Sequence, residues 1–258
     1  MNYESIVCRR MADVPPSGIR KFFDIVSEMK DAISLGVGEP DFTTPWAYSD
    51  AAIYSLRQGH THYTSNWGLI ELRRAIAGYL ARRFETAYDP KDEILVTVGA
   101  SEGIDLALRA LVEPGDEVIA PDPTYVSYAP GIAFAGGTCV PLKTRAEDAF
   151  RMTPEALRAC LTPKTKALIL PYPNNPTGGV MGREDLEKIA EVLKGTNVIV
   201  IADEIYAELT YGALKHQSFA SIPGMWERTI TLSGFSKAFA MTGWRLGYAC
   251  APKELAAI

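Results

Sequence analysis

The sequence is poor in the residues that build metal sites and disulfide frameworks. Its 258 residues include only four cysteines, Cys8, Cys139, Cys160 and Cys250, far apart and with no CxxC pair or histidine cluster beside them. This spacing argues against a zinc site and favours free thiols in a reducing compartment. We therefore expect no bound metal.

An excess of basic charge and long apolar runs are also missing. The 26 lysines and arginines are outnumbered by 31 aspartates and glutamates, which argues against nucleic acid as the main partner. No stretch approaches the ~18 uncharged apolar residues of a membrane span, and residues 1–20 carry no apolar signal-peptide core. We expect a cytoplasmic protein that binds neither membrane nor nucleic acid.

The sequence does contain short apolar runs that alternate with helical segments. Strands are predicted over 94–98, 117–120, 138–142, 167–170, 198–202, 229–232 and 246–249, and helices over 45–58, 69–83, 101–111, 125–135, 154–160, 183–194 and 252–258. All-apolar strands between helices predict an α/β fold, a mostly parallel sheet with helices on both faces. Ligands of such sheets bind at the carboxyl ends of the strands.

The first 44 residues differ from this pattern. We interpret residues 1–44 as an N-terminal arm, with a short amphipathic helix over 19–29 and a strand over 32–37, and residues 45–258 as one large domain. The division predicts that the ligand site belongs mainly to the second part.

Gly99-Ala100-Ser101 joins a predicted strand to a predicted helix. Small residues let a backbone approach a ligand, and a helix N-terminus offers free N–H groups to an anion. The segment matches neither GxGxxG nor GxxxxGK[ST], so dinucleotide and nucleoside-triphosphate binding lose their usual support. It is a candidate phosphate site, although such turns more often serve packing.

Three polar side chains follow other predicted strands. Residues 173–178 form a Pro/Asn/Gly turn that presents the Asn175 amide at the sheet edge. Asp203 directly follows a buried strand, where a carboxylate is costly unless paired. It either caps a helix or pairs with a positively charged ring nitrogen. Lys237 is flanked by small and apolar residues, with Arg245 eight positions later.

Together these residues resemble the class I/II aminotransferases, fold-type-I enzymes of the aspartate aminotransferase superfamily that depend on pyridoxal 5′-phosphate (PLP). The segment Gly234-Phe-Ser-Lys-Ala-Phe-Ala-Met-Thr-Gly-Trp-Arg-Leu-Gly247 resembles the family's PLP-lysine signature. The order of the remaining motifs also resembles the family's: Gly38-Glu-Pro-Asp41, Tyr63, Gly99-Ala-Ser101, Asn175-Pro-Thr-Gly178 and Asp203-x-x-Tyr206. Three segments resemble a bacterial and archaeal branch of aspartate, aromatic and N-acetyl-diaminopimelate aminotransferases: Gly18-Ile-Arg-Lys-Phe22, Tyr172-Pro-Asn-Asn-Pro-Thr-Gly178 and Asp203-Glu-Ile-Tyr-Ala-Glu-Leu-Thr-Tyr211.

The resemblance implies an exchange of an amino group between an amino acid and a 2-oxo acid by a ping-pong mechanism. Lys237 would bind PLP covalently and then move a proton between the substrate Cα and the cofactor. Asp203 would keep the ring nitrogen protonated, which improves the ring as an electron sink. Tyr206 and Asn175 would donate hydrogen bonds to the phenolic oxygen of PLP, and Asn175 would also lie near the substrate.

The other site residues are implied in the same way. Tyr125 would stack on the ring of PLP. The phosphate would be held by a group of main-chain and side-chain donors: Gly99, Ala100, Ser101, Arg245 and either Ser236 or Ser233. Tyr63 would reach the phosphate of a neighbouring subunit, which implies a homodimer. The backbone of Gly38 would lie near the substrate carboxylate.

The sequence departs from the family where it stops, inside the helix predicted over 252–258. Family members continue into a C-terminal small domain whose arginine binds the substrate α-carboxylate, and no residue here is assigned that role. We interpret the chain as a C-terminally truncated form without that domain. Three alternatives stay open: a PLP-dependent C–S lyase of the same fold, an inactive PLP-binding fragment, and a regulatory fragment.

Overall fold

The computed structural model describes residues 1, 5–12, 14–15, 25, 28–29 and 38–258. The helix predicted over 19–29 falls almost entirely outside the described residues, and the strand predicted over 32–37 falls wholly outside them. Before position 38, the described residues include the short helix α1 (Arg9–Ala12), which packs on the main body through a hydrogen bond from Arg10 to the carbonyl of Phe134.

A seven-stranded sheet lies at the centre of the described region. Its strands are β1 (Ile94–Thr97), β2 (Glu117–Asp122), β3 (Thr138–Lys143), β4 (Thr165–Leu170), β5 (Ile199–Asp203), β6 (Thr229–Gly234) and β7 (Gly247–Cys250). Their spatial order is β1-β7-β6-β5-β4-β2-β3. The five neighbouring strands β3, β2, β4, β5 and β6 pair in parallel, and β7 runs antiparallel between β6 and β1. The mostly parallel sheet predicted from the sequence is confirmed.

Helices connect most of these strands. They are α2 (Trp46–Arg57), α3 (Ile70–Phe84), α4 (Ala100–Leu111), α5 (Tyr128–Ala135), α6 (Pro154–Cys160), α7 (Arg183–Leu193) and α8 (Lys253–Ala256). Two of their N-termini are fixed by side chains: Thr153 accepts a hydrogen bond from the N–H of Ala156, and Asp185 accepts one from the N–H of Gly182.

The two faces of the sheet carry separate hydrophobic clusters. Along β4, Leu168 and Leu170 face one cluster, which includes α6 and α7, whereas Ala167 and Ile169 face the other, which includes α4 and α5. Because successive side chains of a strand point to opposite faces, this division places helices on both sides of the sheet. A third cluster lies between α3 and the edge of the sheet that β1 and β7 form.

Most predicted elements match within a few residues, and one difference bears on function. The helix predicted over 125–135 begins only at Tyr128, so Tyr125 lies in the turn between β2 and α5. Pro123 and Thr124 separate the strand from the helix and keep Tyr125 at the carboxyl edge of the sheet. No helix in the described part of the chain combines the length and apolar character that a bilayer crossing requires.

Candidate active site

The predicted site residues meet at one edge of the sheet. Strands β1 and β6 both run antiparallel to β7, so the carboxyl ends of β1, β2, β4, β5 and β6 share this edge with the start of β7. The segments that follow or precede these ends carry the motifs: Gly99, Tyr125, Asn175, Asp203, Lys237 and Arg245. The topology thus gathers residues up to 146 positions apart, in the place where open α/β sheets bind ligands.

Asp203 ends β5 and is buried at the centre of this edge. Its Oδ2 accepts a hydrogen bond from the Tyr128 hydroxyl at 2.7 Å, and its Oδ1 accepts one from the N–H of Ile205 at 3.2 Å. Burial raises the pKa of Asp203, while these two donors lower it and the neighbouring Glu204 raises it. The site therefore holds an oriented carboxylate whose charge lacks a cationic partner among the described residues, as the pairing hypothesis requires.

Lys237, Tyr206 and Asn175 form a second group beside Asp203. The Lys237 Nζ lies 5.6 Å from the centroid of the Tyr206 ring, and the Asn175 amide donates to the Tyr206 hydroxyl at 3.5 Å. Burial raises the pKa of Tyr206, with a further contribution from the negative charge of Asp203. Tyr206 is therefore a protonated phenol at neutral pH and can donate a hydrogen bond.

Lys237 is half-buried, and its Nζ donates a hydrogen bond to the carbonyl of Gly38. Burial lowers the pKa of Lys237; Arg245 lowers it further, and Glu39 opposes both by raising it. Lowering the pKa of an amine increases its neutral, nucleophilic fraction at physiological pH. The surroundings of Lys237 thus favour covalent chemistry more than those of an exposed lysine do.

Gly99 and Arg245 form a cradle at the N-terminus of α4. Gly99 adopts φ +75°, and a Cβ at this position would lie 2.5 Å from an Nη of Arg245, so the arginine occupies the space that a side chain would need. Arg245 has a positive φ of 53° and donates a hydrogen bond to the carbonyl of Thr242. With Ala100 in the first turn of α4, this arrangement presents a guanidinium and free backbone N–H groups to an anion.

The structure distinguishes the two serines proposed for the phosphate. Ser233 is buried in β6, and its hydroxyl lies 3.4 Å from the carbonyl of Glu204. The hydroxyl of Ser236 makes no hydrogen bond to any residue that the structure describes, so it is free for a ligand. Ser101 is exposed in the first turn of α4. These placements favour Ser236 and Ser101.

Tyr125 and Tyr63 have contrasting surroundings. Tyr125 is half-buried and makes an edge-to-face contact with Tyr128, at 5.5 Å between ring centroids, and Tyr128 in turn donates to Asp203. Tyr63 is fully exposed. Within this chain it does not pack into the cluster.

A strap of residues 38–44 covers the loop that carries Lys237. Glu39 accepts a hydrogen bond from Thr242 at 2.7 Å, Thr44 donates to the carbonyl of Ala240 at 2.6 Å, and the Trp244 indole donates to Thr44 at 3.1 Å. The strap holds Gly38 against Lys237 and near the Tyr206 hydroxyl.

Sequence reasoning missed several residues of the site, above all Tyr128, Glu39 and Thr242. A tyrosine three positions after Tyr125 in an apolar helix was a usable signal, because a buried phenol needs a polar partner. The strap gave no such signal, since its contacts span about two hundred residues of sequence.

The donor set fits PLP, the cofactor that the sequence resemblance implies. It supplies an amine of lowered pKa for the aldehyde, an oriented carboxylate for the ring nitrogen, an aromatic face, and a cradle at a helix N-terminus for the phosphate. Among the described residues, no group of three or more histidine, cysteine, aspartate or glutamate side chains is arranged to hold a metal ion.

Comparison with known proteins identifies a family and relatives that match most of this chain. The family model described as aminotransferase class I and II matches residues 30–258. An aspartate aminotransferase of Pyrococcus abyssi is 50% identical over 243 residues, which are 94% of this chain and 62% of that protein. An aromatic-amino-acid aminotransferase of Thermococcus litoralis is 45% identical over 244 residues, covering 95% of this chain and 63% of that protein.

A solved structure shows the same fold. The aspartate aminotransferase of Thermus thermophilus, crystallised with maleate, superposes with a TM-score of 0.91 at 40% identity, over 97% of this chain and 66% of that one. The chain thus spans a little under two thirds of the length of the curated relatives it matches. Since the family model extends across the sheet, the cradle and the lysine loop alike, the chain belongs to the class I and II aminotransferases.

Proposed function

We propose that the chain carries the PLP-binding part of an enzyme that transfers an amino group between an amino acid and a 2-oxo acid. The observation that supports this most directly is the position of Lys237, whose half-buried amine lies beside Tyr206 and within one cluster with Asp203 and the Gly99–Arg245 cradle. An amine, a buried carboxylate and an anion cradle at one strand edge match the aldehyde, ring nitrogen and phosphate of PLP.

When bound, PLP supplies a ring that accepts the electron pair left by a broken bond at the substrate Cα. Lys237 would hold the cofactor through Nζ and would take and return the Cα proton from its position beside Tyr206. Asp203, oriented by Tyr128, would pair with the ring nitrogen. Tyr206 and Asn175 would donate hydrogen bonds to the phenolic oxygen.

The remaining assignments follow from the same site. Arg245, Ser236 and the N-terminus of α4, with Gly99, Ala100 and Ser101, bind the phosphate, and Tyr125 packs on the ring. In this proposal Gly38 and Asn175 contact the substrate, and both lie near the Tyr206 hydroxyl. We further propose that residues 1–44 form an arm and 45–258 the cofactor-binding domain. In this proposal a cytoplasmic homodimer forms in which Tyr63 serves the partner's site.

The substrates are proposed at the level of class. The relatives include proteins named aspartate and aromatic-amino-acid aminotransferases. Aspartate and tyrosine are therefore the amino donors to test first, each with 2-oxoglutarate as acceptor. A C–S lyase of the same fold predicts another product pattern, ammonia and pyruvate from a sulfur-containing amino acid.

The test is a titration of the purified protein with PLP, followed by visible absorption, in wild type and in Lys237→Ala. We expect an absorption band that requires Lys237, shifts when an amino donor is added, and returns when the 2-oxo acid follows. Lys166→Ala changes a partly exposed lysine near the start of β4, at the opposite end of that strand from the site. It is the matched lysine control and should retain the band.

Each outcome of this titration distinguishes between the candidate functions. A band that persists in Lys237→Ala excludes Lys237 as the anchor. Release of ammonia and pyruvate, with no return of the band on adding a 2-oxo acid, favours the lyase. A band that is present but unresponsive to every amino donor contradicts amino transfer by this chain and favours a cofactor-binding fragment.

A further inference from the structure

Glu208 lies outside the cluster described above and joins the two segments that carry its reactive side chains. It sits in the turn that follows β5, two residues after Tyr206. Its carboxylate accepts hydrogen bonds from Arg83 at 2.8 Å and 2.5 Å, one to each oxygen, and a third from the Tyr79 hydroxyl at 2.6 Å. Both donors belong to α3, so one carboxylate fixes the turn to this helix.

The turn itself is short and tightly bonded. The N–H of Ala207 donates to the carbonyl of Glu204 at 2.9 Å, and the N–H of Leu209 donates to the carbonyl of Tyr206 at 2.8 Å. Between these two bonds the backbone has little freedom, so holding Glu208 in place also sets the position from which the Tyr206 ring projects.

The second connection runs through aromatic rings. The ring of Tyr79 lies 6.0 Å from that of Phe239, which lies 5.4 Å from Phe235 and 6.1 Å from Tyr48. Phe235 and Phe239 flank Lys237 at two positions on either side. The phenol that donates to Glu208 therefore also packs on the loop that carries the lysine.

The electrostatics agree with a charge-assisted clamp. The hydrogen bonds from Arg83 lower the pKa of Glu208, so this carboxylate is ionised at neutral pH. Burial and then the bond to Glu208 raise the pKa of Tyr79, which keeps it a protonated donor. A bidentate arginine restricts the carboxylate to one plane, and such a restriction gives a clamp its geometric precision.

We propose that Glu208 is a positioning residue that sets Tyr206 and Lys237 relative to each other by tying their two segments to α3. The inference rests on the proposed function for its consequence in PLP binding, but its structural content does not require the cofactor. The clamp gives the reacting groups a shared support that neither the turn nor the lysine loop has alone.

Hydrogen–deuterium exchange of the protein without PLP tests the structural part. Glu208→Gln removes the charge that binds Arg83 while keeping the size of the side chain. We expect about tenfold faster amide exchange in two separate segments, 205–209 and 235–241, because local openings there lose a shared support. Glu187→Gln, which breaks the exposed Arg183–Glu187 pair on α7, is the matched control and should leave both segments unchanged.

Tyr79→Phe separates the two connections. It keeps the ring contact with Phe239 and the Arg83–Glu208 pair but removes the hydroxyl that joins them. We expect faster exchange in 235–241 and no change in 205–209. Two outcomes for Glu208→Gln would overturn the proposal. Faster amide exchange across the whole sheet would mean that Glu208 serves overall stability, and faster exchange in only one of the two segments would mean that it supports that segment alone.

PLP titration tests the functional part of the proposal. We expect the Lys237-dependent band to require about tenfold more PLP in Glu208→Gln than in Glu187→Gln, in line with the loss of a charge-assisted bond. Equal PLP affinity of these two variants contradicts the positioning role. Absence of the band in wild type contradicts the proposed function instead, while the exchange measurement still decides whether the clamp exists.

Discussion

Tyr128 donates its hydroxyl hydrogen to Asp203 Oδ2 across 2.7 Å in the buried interior at the end of β5. The bond ties the first turn of α5 to the carboxylate that we propose for the ring nitrogen of PLP. It also lowers the pKa of Asp203, in opposition to the effect of burial. Tyr128 therefore orients this carboxylate and favours its ionised form against the effect of burial.

Replacement of this tyrosine gives the first prediction. In Tyr128→Phe the carboxylate loses its donor, its pKa rises further, and a smaller ionised fraction is left to pair with the cofactor. We expect the dissociation constant for PLP to rise about tenfold, since a hydrogen bond to a charged group contributes about 1.5 kcal/mol. Absorption titration measures it. The exposed Tyr211 offers the control Tyr211→Phe, and equal affinities for the two variants would contradict the assignment.

Asp203→Asn gives the second prediction, which concerns stability without PLP. Burial raises the pKa of Asp203, so the stabilising contribution of the protonated acid is present at low pH and is lost as the pH rises through the folded-state pKa. An amide of the same shape does not incur this loss. We expect the variant to be more stable than wild type by about 1 kcal/mol at neutral pH. This is the low end of the free-energy cost of burying a polar group whose hydrogen bonding is incomplete.

Urea unfolding at about pH 4 and about pH 7 measures this difference, because the interval begins near the unperturbed pKa of an aspartate. The gap between variant and wild type should widen toward neutral pH. PLP binding by Asp203→Asn should at the same time be weaker, which separates the contribution of Asp203 to function from its contribution to folding. A variant that is less stable at both pH values contradicts the prediction.

Much of the fold was predictable from the sequence because its strands are uniformly apolar and its helices are bounded by turn residues. The predicted strand over 198–202 and the observed β5 differ by one residue at each end. Helix α6 begins and ends as predicted, since Thr153 caps it and Pro154 occupies its first position. Such local signals do not depend on the rest of the chain.

The contacts made by Tyr128, Glu208 and the strap depend on pairs of residues far apart in sequence. Glu208 meets Arg83 across 125 positions, and Glu39 meets Thr242 across 203. A motif identifies which residues carry the chemistry, but the hydrogen bonds that orient them arise only when α3, the turn after β5 and the strap are brought together. No local pattern of charge or hydrophobicity marks their partners.

Gly99→Ala gives the third prediction. The change forces alanine into φ +75° and places its Cβ 2.5 Å from an Nη of Arg245, which displaces the guanidinium from the cradle. Gly195 also has a positive φ, +73°, and no atom within 4 Å of an added Cβ, so Gly195→Ala places alanine at positive φ without a steric contact. We expect Gly195→Ala to lose about 1 kcal/mol of stability. Gly99→Ala should lose more, because Gly99 combines its positive φ with ψ 164°, a conformation that only glycine adopts readily.

Only Gly99→Ala should weaken the binding of PLP. Inorganic phosphate should also stabilise Gly99→Ala against thermal unfolding less than it stabilises Gly195→Ala. The comparison tests the cradle because both variants place alanine at positive φ, and only Gly99→Ala brings a Cβ against Arg245. Equal phosphate protection in the two variants contradicts the assignment of the Gly99–Arg245 pair to an anion site.

Glu39 gives the last prediction, since it acts on Lys237 through charge and on the strap through its hydrogen bond with Thr242. Among the causes acting on Lys237, burial and Arg245 lower the pKa and Glu39 raises it. Removal of the Glu39 charge in Glu39→Gln should therefore lower the pKa of Lys237 further. Neutral amine then persists to lower pH, and covalent capture of PLP should become faster on the acidic side of its pH profile.

Thr242→Val distinguishes charge from geometry in this experiment, because it breaks the hydrogen bond at 2.7 Å and leaves the carboxylate in place. We expect the midpoint of the capture rate against pH to shift to lower pH in Glu39→Gln and to remain at the wild-type value in Thr242→Val. An equal shift in both variants would mean that the strap controls Lys237 by position. An unchanged midpoint in Glu39→Gln would mean that solvent screens the carboxylate from the amine.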